Sequence, residues 1–123
     1  MENKDFKIRS GVWINEGGSQ LHLQVNDKLV GGFYITAAKR PVAGKQYPIT
    51  GWTNEELIGF VVAWEESHSL TSWCGRYTVD LEGRECIKTV WHLARLYEDA
   101  NYTVENKIWS TFITNTNTYY FNS

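Results

Sequence analysis

Amide, hydroxyl and indole side chains recur on the same side of successive extended segments, a mixture that grips small polar molecules. In an extended chain alternate side chains share a face. Along the first segments Asn15, Gly17, Ser19, Leu21 and Leu23 align, followed by Val30, Gly32, Tyr34 and Thr36. Further on, Ile58, Phe60, Val62 and Trp64 share a face, as do Ser69, Thr71, Trp73, Gly75, Tyr77 and Val79. Ile87, Thr89, Trp91 and Leu93 form another such row. The apolar members must point into a core, yet Asn15, Ser19, Tyr34, Thr36, Ser69 and Thr71 accompany them near one end. An unpaired buried polar group costs about 1–3 kcal/mol. These groups therefore bond one another, bond trapped water, or await a ligand, and an apolar cavity with a few convergent polar groups is the common form of a small-molecule site. Bulky filling of a barrel remains the ordinary explanation of any single Trp. The same faces carry no acid–base pair and no activated nucleophile, which argues against an enzyme.

The elements that must position these side chains are strands. Runs rich in Val, Ile, Thr, Tyr, Phe and Trp recur between Gly, Asn, Asp and Pro breaks, and helical periodicity is almost absent. The spacing predicts strands near 12–16, 19–25, 29–37, 47–53, 57–65, 69–79, 84–95 and 108–121. Most breaks are short, so consecutive strands should pair antiparallel. Glu82-Gly83 reads as a tight hairpin. Eight meandering strands predict an all-β, eight-stranded antiparallel up-and-down barrel, since closure removes exposed sheet edges.

The 123 residues suffice for one domain, with residues 1–10 expected as a tail and 11–121 as the barrel. Hydrophobic residues at 42% and charged residues at 21% suit a folded chain. A net charge of −2, without a run of Lys or Arg, offers nothing for nucleic acid or an anionic membrane surface. No stretch is long and apolar enough to span a bilayer, and Met1 to Ser10 lack the apolar centre of a signal peptide. His22, His68 and His92 alternate outward and do not cluster, so a metal site is not expected. Cys74 and Cys86 are also expected on the outer face, as free thiols at a subunit contact or as a link between subunits. Asn101-Tyr102-Thr103 is a glycosylation sequon, used only in a eukaryotic secretory pathway.

The same residues form an ordered set of motifs that resembles the avidin and streptavidin family from Gly11 to Phe121. Gly11-Val12-Trp13-Ile14-Asn15 with Gly18-Ser19 is similar to the family's opening strand. Gly32-Phe33-Tyr34-Ile35-Thr36-Ala37 and Tyr47-Pro48-Ile49-Thr50-Gly51 resemble its next motifs. Gly59-Phe60-Val61-Val62-Ala63-Trp64 and His68-Ser69-Leu70-Thr71-Ser72-Trp73-Cys74-Gly75 follow in order. Lys88-Thr89-Val90-Trp91-His92-Leu93 and Trp109 complete the set.

The resemblance implies non-catalytic binding of biotin as a ligand, with no cofactor. Asn15, Ser19 and Tyr34 would donate to the ureido oxygen. Thr36 would accept from one ureido N–H and Asn117 from the other, with Asn115 in that place if the last strand is shifted. Thr71 would face the sulfur, while Ser69 and the backbone around Ala38 and Lys39 would hold the carboxylate. Trp64, Trp73 and Trp91 would wall the bicyclic ring beside Leu93. Trp109 would reach a neighbouring subunit's pocket, which favours a homotetramer over a dimer. The resemblance also favours secretion.

Departures from the family pattern bear on affinity. Gly17 stands where an apolar residue is usual, and Ser67 replaces an apolar or aromatic residue near the mouth. The match at Tyr34 and Thr36 needs a hairpin one residue shorter; otherwise Phe33 and Ile35 would take those places. The loop from Leu93 to Trp109 is several residues longer, which leaves tetramer and dimer both open. An alternative is a barrel of this family with weak biotin affinity that binds another small molecule or serves mainly in assembly.

Overall fold

The computed structural model describes residues 8–37, 44–96 and 111–123. Its strands are β1 (Gly11–Asn15), β2 (Gln20–Asn26), β3 (Leu29–Ile35), β4 (Tyr47–Pro48), β5 (Thr50–Asn54), β6 (Leu57–Trp64), β7 (Ser69–Val79), β8 (Glu85–Arg95) and β9 (Phe112–Asn122). A 3-10 turn, Glu65–Ser67, joins β6 to β7. All pairings are antiparallel and follow chain order, and β9 returns to pair with β1. β4 and β5 are two halves of one strand interrupted at Ile49, both pairing with β3. The result is a closed eight-stranded barrel, as the meandering pattern predicts.

Alternation explains the interior. Ile58, Phe60, Val62 and Trp64 on β6 are buried, while their neighbours are more exposed. Each aliphatic or Phe side chain so buried contributes about 1.5–3 kcal/mol. Trp13, Leu21 and Tyr119 are wholly buried, and with Leu23, Val30, Tyr77 and Ile87 they fill the lumen. Val79 departs from the expected inner row. It is half exposed, because β7 runs out of the barrel there.

At the end opposite Asn15, Ile8 and Arg9 pack against the barrel. Ile8 joins the core, and the Arg9 guanidinium grips both Glu85 carboxylate oxygens at 2.6 and 2.9 Å. The same guanidinium lies 3.9 Å above the Phe121 ring, and Trp13 Nε1 donates to the Arg9 carbonyl. Residues 8–10 thus pack on the barrel.

Two local features differ from expectation. The break between β7 and β8 spans 80–84 and is wider than a tight Glu82-Gly83 hairpin, because Asp80 organises it. Asp80 Oδ1 accepts from the Glu82 and Arg84 N–H groups, and Gly83 takes φ +82°. Cys86 lies on the even-numbered side of β8 with Lys88 and Val90, yet it is 0% exposed. Burial pushes its thiol up from the ordinary value, so it is an inert core residue. Cys74 is exposed as expected, and both thiols are unlinked.

Candidate functional site

β1, β3, β6 and β8 end at one rim of the barrel, where β2, β7 and β9 begin. That rim collects the polar side chains singled out in the sequence.

Asn15 is locked by the turn that follows it. Its Oδ1 accepts the N–H of Gly17 at 2.9 Å and of Ser19 at 3.0 Å, a use of Asn in turns that Gly18 completes at φ +94°. Two N–H donors on one side-chain atom identify that atom as the oxygen. The NH₂ is therefore the part left for the barrel interior. Ser19 is buried, and its Oγ accepts the Ala37 N–H at 2.9 Å, so its own proton remains to be donated. Asn15 is thus left with its NH₂ donors, and Ser19 with its proton and one lone pair.

Tyr34 lies buried on the inner face of β3, while Phe33 turns outward and stacks on His22 at 4.3 Å. The shorter hairpin is therefore the one that forms: Leu21 pairs with Tyr34 and Asn26 with Leu29. The Tyr34 hydroxyl bonds the Tyr119 hydroxyl at 2.7 Å. Burial raises the pKa of both phenols above the ordinary value. They stay neutral at any physiological pH. Thr36 is half-buried beyond the end of β3.

Trp64 and Trp73 bracket Tyr34, with ring centroids 5.8 and 5.0 Å away. Phe60 stacks on Trp73 at 4.8 Å, and Tyr47 meets Trp64 edge-on at 4.8 Å. Trp64 Nε1 donates to Thr71 Oγ1 at 2.7 Å. The acceptor side of Thr71 is again occupied. Ser69 is half-buried and bonds Ser67 Oγ at 2.8 Å, so the Ser67 departure supplies a hydroxyl partner near the rim. Trp91 and Leu93 pack against the core as partly buried neighbours. The indole N–H groups of Trp73 and Trp91 are buried without a hydrogen-bond partner.

On β9 the odd-numbered residues face inward. Asn117 sits opposite Thr89 and is half-buried, whereas Asn115 is exposed and spends its Oδ1 on the Thr116 N–H. Of the two candidates, Asn117 is nearer the interior. Ala38, Lys39 and Trp109, together with the Asn101 sequon, lie outside the described residues. The described sequence-chosen residues come from six strands, the turn between β1 and β2 and the residue after β3, with contacts joining Tyr34, Trp64, Thr71 and Trp73.

Tyr119 belongs to this cluster and was not singled out in the sequence. Its signal was available: it lies two residues beyond Asn117, so alternation puts both on one face. What hid it is that its partner Tyr34 lies 85 residues away, beyond the reach of local spacing.

Among the described residues, no three His, Cys, Asp or Glu side chains gather as a metal group. Charge lies at the rim of the cluster: Arg95 is the direct partner of Ser69 across the β7–β8 ladder, and its Nε is buried. Glu16 stands at its edge, where its carboxylate accepts the Thr118 N–H at 3.1 Å. The chemistry of the cluster is that of neutral hydrogen-bond donors set among aromatic rings. Such a site suits a ligand whose enclosed part is uncharged, with a carbonyl oxygen and an apolar body.

Comparison with known proteins agrees with this arrangement. The sequence model of the Avidin family matches residues 3–121. Afifavidin of Afifella pfennigii is 36% identical over 92 residues, covering 69% of this chain and 57% of its own length. Chicken (Gallus gallus) avidin is 33% identical over 100 residues, covering 73% of this chain and 65% of its own. The chain thus spans somewhat under two thirds of these relatives. A solved rhizavidin–biotin complex superposes with a TM-score of 0.76 at 27% identity, over 92% of this chain and 99% of that one. A barrel of this closure, with these motifs in this order and a match over nearly its whole length, places the chain in the avidin family.

Proposed function

We propose that the protein binds biotin non-covalently at the Asn15 rim of the barrel and catalyses no reaction. One observation carries this reading: backbone N–H groups hold the Asn15 side-chain oxygen and the Ser19 hydroxyl oxygen, which leaves the Asn15 NH₂ and the Ser19 proton to donate. A ligand entering there must bring an acceptor. The ureido oxygen is a strong one, and three donors in a site shielded from water polarise it more than water does.

The remaining roles follow the family resemblance. Thr36 and Asn117 accept from the two ureido N–H groups. Thr71, whose oxygen is held by Trp64, turns its proton toward the sulfur. Ser69 and the backbone near Ala38 and Lys39 receive the carboxylate. Trp64, Trp73 and Trp91 enclose the rings beside Leu93, and each indole removes about 150–250 Å² from water. Because neighbours already hold these side chains, little conformational freedom is lost on binding. A rhizavidin structure and a shwanavidin variant structure were solved with biotin, which supports the same ligand here.

Residues 11–121 form the binding domain in this reading, and 1–10 lead into it. Trp109 closes a neighbouring subunit's pocket, so the assembly is a homotetramer. Light scattering on the purified protein distinguishes four copies from two.

Titration calorimetry with biotin tests the function directly. One site per chain is expected, with a rise in melting temperature that grows with ligand concentration. No heat and no shift at millimolar biotin would remove biotin as the ligand. The second reading, a different neutral small molecule, draws on Gly17, an exposed turn residue that offers no side chain to the ligand. Native mass spectrometry of the freshly isolated protein would then carry a mass other than biotin.

A further inference from the structure

We propose that Tyr119 is a positioning residue which, by donating to Tyr34, directs the Tyr34 proton at the ligand oxygen. This rests on the biotin reading above and adds to it a residue outside the ligand's own contact set.

The inference follows from counting donors around two oxygens. Tyr34 and Tyr119 share one hydrogen bond of 2.7 Å, in which either is able to donate. What lies on the far side of each hydroxyl decides the direction. Asn15 is the direct partner of Tyr119 across the β1–β9 ladder. The Asn15 carbonyl is held by Gly17 and Ser19, so only NH₂ remains to face Tyr119. That amide favours the ionised form of Tyr119, as a donor near its oxygen should. With the Asn15 amide behind it, Tyr119 has the Tyr34 oxygen as the acceptor for its own proton.

Tyr34 is then in the same position. It receives from Tyr119 across the 2.7 Å bond. Its own proton is then the one left to donate, and the ligand oxygen offers it an acceptor. Polarity therefore runs from the turn amides through Asn15 and Tyr119 to Tyr34, each bond strengthening the next. A Phe at 119 would fill the same space and leave the Tyr34 proton undirected.

The test is a double-mutant cycle of Tyr119→Phe and Tyr34→Phe on the intact protein, read by biotin titration calorimetry. Tyr119→Phe is expected to weaken Kd by about threefold to tenfold, the worth of one neutral hydrogen bond. In the Tyr34→Phe background the same change is expected to do nothing, because the relay has lost its end. A second readout is the infrared carbonyl stretch of biotin labelled with carbon-13 at the ureido carbon. It should lie lower in the wild type than in Tyr119→Phe, since a weaker donor polarises the carbonyl less. If Tyr34 instead donates to Tyr119, removing the Tyr119 hydroxyl releases Tyr34 and tightens binding. Tighter or unchanged binding, additive effects, or an unmoved stretch would each overturn the relay while leaving biotin as the ligand. Absence of biotin binding by the wild type would overturn both readings, and so is told apart from failure of the relay alone.

Discussion

Trp64 Nε1 donates to Thr71 Oγ1 at 2.7 Å inside the barrel, tying the last residue of β6 to the third residue of β7. The bond fixes the plane of the indole. It also leaves the Thr71 proton directed away from Trp64.

That bond should be measurable in stability. Thr71→Val keeps the shape of the side chain and removes the acceptor for a buried N–H. Loss of one partner of a buried pair costs about 1–3 kcal/mol, more than the bond's net worth. Urea unfolding should show a fall of that size for Thr71→Val and much less for Thr71→Ser. An unchanged midpoint in Thr71→Val would mean that the indole finds an equal acceptor elsewhere.

Asn15 separates folding from binding. Asn15→Asp retains the oxygen that accepts from Gly17 and Ser19, so the turn survives. It removes the two amide hydrogens and sets a carboxylate where the ligand oxygen must come. Circular dichroism should be unchanged, while biotin affinity should drop by about a hundredfold or more, as two lost hydrogen bonds and a repulsion imply. Retained affinity would show that Asn15 does not touch the ligand.

The far end of the barrel predicts behaviour in alkali. Tyr77 donates to Glu85 Oε1 at 2.9 Å, and burial followed by that carboxylate pushes its pKa up to about 12. In the unfolded chain a Tyr ionises near 10. The folded state thus keeps a proton that the unfolded state releases. The stability this confers is complete below about pH 10 and disappears as pH climbs toward 12. Buried Tyr34 and Tyr119 shift in the same direction and steepen the decline. Denaturant midpoints should fall across this window, and Tyr77→Phe should flatten the fall. An equal slope in the variant would assign the effect to other groups.

Gly32 bends β3 between two inward residues, Val30 and Tyr34. Its φ of +111° lies in the region that favours glycine, and a Cβ there would stand 1.9 Å from the His22 carbonyl oxygen. Backbone, not a movable side-chain tip, is in the way. Gly32→Ala should cost about 1–3 kcal/mol or more from overpacking and strain together. A melting temperature equal to wild type would mean that the β2–β3 ladder shifts without cost.

Much of the site was legible in the sequence because side-chain alternation is a local property of extended chain. Tyr34, the row Ile58 to Trp64, and the row from Thr71 through Tyr77 fall inward as their spacing requires. Alternation also separates Asn115 and Asn117 from the outward Thr114 and Thr116, but it treats the two Asn alike. The distance from the rim distinguishes them, and that depends on where β9 pairs with β8.

Long-range pairing decided the rest. Tyr34 and Tyr119 are 85 residues apart, and their bond exists only because β9 closes on β1 while β3 curls to the same lumen. No periodicity within either segment foretells which two hydroxyls will meet. Cys86 falls on the outward side of its strand by local spacing, yet it is wholly covered. Residue type and spacing determined the class of fold and the face each side chain takes. Closure of the sheet determined which groups share a hydrogen bond, because a bond needs two partners within about 3 Å and only the finished barrel sets that distance.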